Sequence, residues 1–162
     1  MSALLDGVRY FQLGYVTRDI ERAKTLYAER YGVRQFFHFS TGQFAPPGAT
    51  GPFSEIALAY KNGVQIELIQ PAPGAEGIYL DALRADGGVA LHHLGYLIDT
   101  AEALSSLTQS FKNQNIPVPV ENISPAGLSL IYADTRADTG LFSEFVCLGE
   151  GGRAFFDNVP QN

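Results

Sequence analysis

The sequence contains one cysteine, no tryptophan and only 11 lysines and arginines among its 162 residues. The single cysteine, Cys147, excludes an internal disulfide and fits a reducing compartment. The basic residues are scattered and the net charge is -6, so the chain lacks the basic surface that binds nucleic acid. No segment approaches the roughly 20 apolar residues that a membrane span needs, and the start MSALLDGVRY lacks the features of a signal peptide. We therefore expect a cytoplasmic protein with no nucleic-acid or membrane partner.

One sequence pattern occurs twice in the chain. The segments FQLGYVTRDIERAKTLYAERYGV (11–33) and HHLGYLIDTAEALSSLTQSFKNQNIPV (92–118) share LGY in a strand, followed by an acidic residue and an amphipathic helix. Each half then ends with an apolar strand that contains one glutamate, VQIELIQ (64–70) and LFSEFVCL (141–148). This repetition of strand, helix and strands predicts an α+β fold with a mixed or mainly antiparallel sheet.

Helix boundaries follow from capping residues and from the spacing of apolar side chains. The first helix is expected to begin near Asp19 and to end at Gly32, with an inner stripe of Ile20, Ala23, Tyr27 and Tyr31. The second is expected to begin at Asp99 or Thr100 and to stop before Pro117, with an inner stripe of Leu104, Leu107 and Phe111.

The repeat also predicts the organisation of the chain. We expect a first module at 8–70, a linker at 71–90 with a short helix around 78–84, a second module at 91–149 and a tail at 150–162. The remaining strands are expected near 34–39, 54–60, 118–121 and 127–133. The tail is expected to close over the site or over a partner subunit.

Equivalent strands of the two halves carry polar residues at matching positions. Gln12 and His93 each precede LGY, and Glu67 and Glu144 lie within the last strands, with separations of 67 − 12 = 55 and 144 − 93 = 51 residues. A carboxylate inside an apolar strand costs several kcal/mol to bury unless a cation or hydrogen bonds compensate it. One divalent metal ion compensates both, because carboxylate, carboxamide and imidazole groups are normal ligands. Pairing of the two glutamates with arginines is the alternative.

The other two histidines are expected to have structural roles. His92 is next to His93 on a strand, so the two side chains face opposite sides and only one can line a site. His38 lies beside three phenylalanines in the sequence, which favours a histidine of the core or of a pocket wall.

Three motifs, HLGYLID, ELIQP and LYAERYG, resemble those of the vicinal oxygen chelate superfamily, and the resemblance extends from about Val8 to Leu148. This superfamily includes glyoxalase I, methylmalonyl-CoA epimerase, extradiol dioxygenases, fosfomycin-resistance enzymes and bleomycin-binding proteins. The resemblance implies two tandem βαβββ modules that form a cupped mixed β-sheet, the glyoxalase-like fold. It also implies one divalent ion (Zn, Ni, Co, Mn, Fe or Mg) and a ligand set of the glyoxalase I type, comprising Gln12, Glu67, His93 and Glu144.

The same resemblance implies a metal-dependent isomerase, epimerase or lyase that forms an enediolate-type intermediate, with Glu144 as the catalytic base and Glu67 as its counterpart. The substrate is expected to be a small molecule with vicinal oxygens. It is expected to be apolar or aromatic, because no Lys or Arg cluster lies near the predicted ligands. An extradiol-type dioxygenase and a metal-free drug-binding protein are the alternatives. The superfamily also implies a homodimer.

Two departures from the superfamily patterns narrow these options. The chain continues ELIQPAPG after Glu67, where glyoxalase I has an Asn for glutathione, which disfavours glutathione as a substrate. Gln12 stands where the extradiol enzymes have a histidine, which disfavours ring cleavage.

Overall fold

The computed structural model describes residues 8–51, 53–124 and 126–162, so most of the start used in the localisation argument lies outside the described residues. The elements are β1 (Arg9–Val16), α1 (Ile20–Tyr31), β2 (Phe37–Ser40), β3 (Glu55–Lys61), β4 (Val64–Gln70), β5 (Ala90–Leu97), α2 (Ala101–Asn113), β6 (Val120–Asn122), β7 (Leu128–Ala133), α3 (Arg136–Thr139), β8 (Phe142–Leu148) and α4 (Glu150–Phe156). Short 3₁₀ helices span Thr41–Phe44 and Gly77–Ala82. The predicted α+β fold with two βαβββ modules is therefore confirmed.

The strands of each module form a sheet, in the order β2-β3-β4-β1 in the first module and β5-β8-β7-β6 in the second. The pairs β2–β3, β3–β4, β6–β7 and β7–β8 are antiparallel, and β5–β8 is parallel. Within each module the spatial order is thus second, third, fourth and first strand. Strand β2 begins later than predicted because the backbone amides of Arg34 and Gln35 donate to the side chain of Asn162 instead of joining a strand ladder.

The chain divides into two compact units. One, here called the second-module unit, contains the described residues up to Gln12 together with those of His93–Asn158, and the other, the first-module unit, contains the described residues of Leu13–His92 and Val159–Asn162. The division falls within β1 and assigns Gln12 to the second-module unit. The module boundaries predicted from the sequence follow the repeated order of strands and helices, whereas this division follows compactness. The predicted segments therefore stay predictions: 8–70, 71–90, 91–149 and 150–162.

The core of the first-module unit forms under α1. The side chain of Asp19 caps the helix by accepting from the Arg22 amide at 2.9 Å, and Gly32 ends it with a φ of 67°. The inner stripe packs against β3 and β4, in a cluster of Ile20, Ala23, Tyr27, Val33, Ala57, Ala59, Ile66 and Leu68. The expectation for Tyr31 was wrong: this residue ends the helix, is 59% exposed and lays its ring against Tyr27.

The core of the second-module unit forms under α2. Thr100 caps this helix by accepting from the Ala103 amide at 3.1 Å, in agreement with the predicted start. Its inner face packs against β7 and β8, in a cluster of Ile98, Leu104, Leu107, Phe111, Ile131, Ala133, Phe145 and Cys147. The tail begins with α4, which contacts β8. Among the described residues, no helix combines the length and the apolar composition of a membrane span.

Removal of the Asp19 cap is expected to destabilise the protein. Asp19→Ala leaves the Arg22 amide without its side-chain acceptor, which should lower the free energy of unfolding by about 1 kcal/mol. The control is Asp19→Asn, which keeps an acceptor oxygen and should lose much less. Urea unfolding followed by circular dichroism measures both variants, and equal stability of Asp19→Ala and the parent protein would contradict the assignment.

Candidate metal centre

Both strand glutamates lie on the sheet faces opposite the helices. Strands β4 and β8 are buried along nearly their whole length. Ile66 and Leu68 pack in the cluster under α1, so Glu67 between them points to the other face. Phe145 and Cys147 pack in the cluster under α2, so Glu144 also points away from its helix. The repeat therefore gives both glutamates the same orientation within their own modules.

In the second-module unit, three polar side chains meet at the imidazole of His93. His93 Nε2 lies 3.3 Å from Gln12 Oε1 and 3.4 Å from Glu144 Oε2. All three residues are buried, with exposed fractions of 0% for His93, 3% for Gln12 and 4% for Glu144. Glu144 forms its ion pair with His93, and not with an arginine, within the described residues.

Gly95 makes room for the Gln12 side chain. Gly95 is aligned with Glu144 in the parallel pairing of β5 and β8. A Cβ atom at this position would lie 2.5 Å from Gln12 Oε1 and 2.6 Å from Gln12 Cβ, closer than non-bonded atoms approach. The glycine of the LGY motif is therefore required by packing against Gln12, a role that the sequence analysis missed. The recurrence of LGY was the available signal.

The donor set fits a divalent cation. Gln12, His93 and Glu144 each offer one ligand atom within the second-module unit, and His93 Nε2 lies 3.3 Å and 3.4 Å from the two oxygens. Atoms that bind one ion at about 2.0–2.2 Å lie about 3 to 3.5 Å apart, which the two distances from His93 Nε2 match. Glu144 Oε2 is buried, and within the described part of the chain it accepts no hydrogen bond. A cation would compensate this carboxylate.

The other candidate side chains lie elsewhere. His92 Nε2 is 3.1 Å from the carbonyl oxygen of Ile78, which agrees with a structural role. His38 lies 3.0 Å from a Glu55 oxygen and 3.2 Å from Lys24 Nζ, at the boundary of α1 and β2. Cys147 is buried on the α2 side of β8, and burial raises the pKa of its thiol, which disfavours the thiolate form that binds metal.

A sequence profile of the Glyoxalase/Bleomycin resistance protein/Dioxygenase superfamily matches residues 11–132. The chain belongs to this superfamily. The vicinal oxygen chelate resemblance drawn from HLGYLID and ELIQP is thereby confirmed. A search of curated proteins gives no match. The roles of Gln12, Glu67, His93 and Glu144 within this superfamily member stay predictions.

Solved structures share the fold of this superfamily member. A variant of Streptomyces coelicolor methylmalonyl-CoA epimerase in complex with 2-nitronate-propionyl-CoA has a TM-score of 0.62 at 14% identity, over 88% of this chain and 95% of the other. The Mycobacterium tuberculosis methylmalonyl-CoA epimerase has a TM-score of 0.57 at 15% identity, over 95% of both chains. A hypothetical protein from Bacillus halodurans C-125 has a TM-score of 0.60 at 16% identity, over 90% of this chain and 97% of the other. At these identities the likeness shows the fold alone.

A methyl group at position 95 is expected to weaken binding of divalent ions. Gly95→Ala forces the Gln12 side chain away from His93, which should lower the affinity for Co²⁺ by about tenfold or more. The control is Gly51→Ala, because a Cβ at Gly51 meets no atom within 4 Å. Visible absorption during a Co²⁺ titration measures the affinity. Parental affinity in Gly95→Ala would show that Gln12 is not a ligand in this arrangement.

Proposed function

We propose that this chain is a metal-dependent isomerase, epimerase or lyase that holds one divalent ion with Gln12, Glu67, His93 and Glu144. The observation that carries the proposal is the buried meeting of Gln12 Oε1, His93 Nε2 and Glu144 Oε2 in the second-module unit. When bound, the ion supplies Lewis acidity that stabilises negative charge on substrate oxygens. Its identity is left open, because this ligand set suits Zn, Ni, Co, Mn or Fe.

The sheet faces that carry the glutamates support a small apolar or aromatic substrate with vicinal oxygens. In the second-module unit, Glu144 is aligned with Tyr132 on β7 and alternates with Phe142 and Val146 along β8, so these side chains share its face. In the first-module unit, Glu67 is aligned with Leu58, which is itself aligned with Phe37. Apolar walls with a few polar groups are typical of sites for small organic ligands.

In the proposed reaction, Glu144 is the principal base. Its carboxylate removes a proton from a carbon next to a substrate carbonyl, and the electron pair of the broken C–H bond moves to the carbonyl oxygen. In an isomerase that acts on an α-hydroxy carbonyl, Glu144 then returns the proton to the former carbonyl carbon, while the hydroxyl proton of the neighbouring carbon passes to the former carbonyl oxygen. In an epimerase, Glu67 takes a proton from solvent and delivers it to the opposite face of the same carbon, and Glu144 then releases its proton to solvent. The burial of Glu144 beside His93 Nε2, among the proposed ligands, supports this role.

The structural neighbours support proton transfer at carbon without defining the substrate. Structures of methylmalonyl-CoA epimerase are among the similar folds, including complexes with 2-nitronate-propionyl-CoA and with methylmalonyl-CoA. Epimerisation requires the removal and return of a proton at one carbon, which is the chemistry proposed for Glu144 and Glu67. The homodimer and the cytoplasmic location expected from the sequence remain proposals.

The purified protein is expected to retain about one divalent ion per chain after mild dialysis. Elemental analysis measures the metal content of the parent protein and of two histidine variants. His93→Ala should lose the ion, because its imidazole faces both Gln12 and Glu144. The matched control His92→Ala should keep it, because His92 contacts the Ile78 carbonyl instead. A parent protein that holds no ion, and gains no thermal stability from Zn²⁺, Ni²⁺, Co²⁺ or Mn²⁺, would contradict the proposal.

Replacement of Glu144 by Gln is expected to abolish most activity while retaining much of the metal. The amide keeps the shape and an oxygen donor but is not a base, so the rate should fall by about 10²–10⁴-fold. Glu67→Gln should reduce the rate less, and Glu121→Gln, at an exposed position of β6, should leave it unchanged. Gln12→Ala should mainly weaken metal binding.

Substrates for this experiment come from a screen of α-hydroxy carbonyls, acyl-CoA esters and catechols, with exchange of deuterium from solvent as the readout. Parental turnover by Glu144→Gln would remove Glu144 as the base. Oxygen consumption with a catechol would replace the isomerase assignment by that of a dioxygenase.

A further inference from the structure

Tyr132 is packed against the imidazole of His93 inside the second-module unit. The two ring centroids are 5.1 Å apart and the ring planes meet at 79°, an edge-to-face arrangement that aromatic rings favour. Tyr132 is 4% exposed and is aligned with Glu144 in the antiparallel pairing of β7 and β8. The ring of Tyr132 therefore packs against His93, and Tyr132 lies opposite Glu144 on the neighbouring strand.

Further side chains of the same unit hold the Tyr132 ring from behind. The ring of Phe142 is 6.5 Å from that of Tyr132, at an angle of 76°. The guanidinium carbon of Arg136 lies 4.5 Å from the centroid of Phe142. Arg136 is fixed in turn by Asp134, whose two oxygens accept from Nε at 2.8 Å and from Nη2 at 2.7 Å. These contacts connect Asp134 to His93 through Arg136, Phe142 and Tyr132.

The orientation of the His93 ring decides whether its Nε2 atom faces the Gln12 and Glu144 oxygens. Rotation about the Cβ–Cγ bond would carry Nε2 away from both oxygens, which lie 3.3 and 3.4 Å from it. A neighbouring ring in an edge-to-face contact opposes this rotation, because the rotated imidazole would collide with it.

We propose that Tyr132 is a positioning residue that fixes the His93 ring with Nε2 directed at Gln12 and Glu144. The effect of Tyr132 on metal affinity rests on the proposed function, whereas its effect on the orientation of the His93 ring does not. The ring of Tyr132 carries this role through packing, so phenylalanine at the same position should preserve it.

The test compares Tyr132→Leu, which removes the ring, with Tyr132→Phe, which keeps it. Tyr96→Leu is the matched control, because Tyr96 stacks on Phe145 on the α2 side of the sheet. Phe142→Leu removes the support of Tyr132 and provides a second variant if Tyr132→Leu does not fold. Two-dimensional ¹H–¹⁵N spectra report the imidazole tautomers of the metal-free proteins, and the chain has only three histidines to assign.

In the metal-free parent protein, His93 is expected to carry its proton on Nε2, because both groups that face this atom present oxygens. Tyr132→Leu should give a mixture of tautomers, whereas Tyr132→Phe and Tyr96→Leu should give the parental spectrum. In Co²⁺ titrations, Tyr132→Leu should bind about tenfold more weakly than Tyr132→Phe, the usual effect of losing a group that orients a ligand. Phe142→Leu should change both readouts in the same direction.

The two readouts separate this proposal from the proposed function. A parental tautomer spectrum in Tyr132→Leu, or an effect of Tyr132→Phe as large as that of Tyr132→Leu, would overturn the positioning role. If the parent protein binds no ion but Tyr132→Leu still changes the His93 tautomer, the positioning role stands and the metal-dependent function falls.

Discussion

The structure depends on how it compensates carboxylates that the sheet buries. Glu144 is 4% exposed and Glu67 is 9% exposed, and each lies within a strand whose neighbouring residues pack under a helix. An isolated buried carboxylate costs several kcal/mol, which is a large part of the stability of a small protein. The contact of Glu144 with His93 Nε2 offsets part of this cost in the second-module unit, and the proposed divalent cation would offset more of it.

The need to compensate these buried carboxylates explains why a glycine and a large aromatic residue both lie close to the Gln12–His93 contact. The side chain of Gln12 reaches Nε2 only because position 95 has no Cβ. Tyr132 occupies the other side of the imidazole with a large flat ring. A site of this kind needs close packing as much as it needs ligands, because a side chain that rotates freely loses entropy when it binds an ion.

Much of this arrangement could be predicted from the sequence because the chain repeats itself. Gln12 is an unremarkable strand residue until it is aligned with His93, and the alignment then places two polar groups at equivalent positions. Local spacing also predicts the helices, although it extends the stripe of α1 to Tyr31, where the helix already ends. The roles of Gly95 and Tyr132 depend on which residues face each other across strands, and this register is not encoded in the spacing along one segment.

The charges of the proposed ligand set are suited to proton transfer inside a buried site. Two carboxylates balance the charge of a divalent ion, and Gln12 and neutral His93 contribute donor atoms without adding charge. When Glu144 accepts a proton from the substrate, it becomes neutral as the substrate oxygens become negative. The net buried charge stays constant during this step, so the low dielectric of the interior does not oppose it through a change in net charge. A third carboxylate, in place of Gln12, would add one negative charge throughout the reaction and remove this balance. In the proposed ligand set, the neutral amide of Gln12 is therefore part of the charge balance.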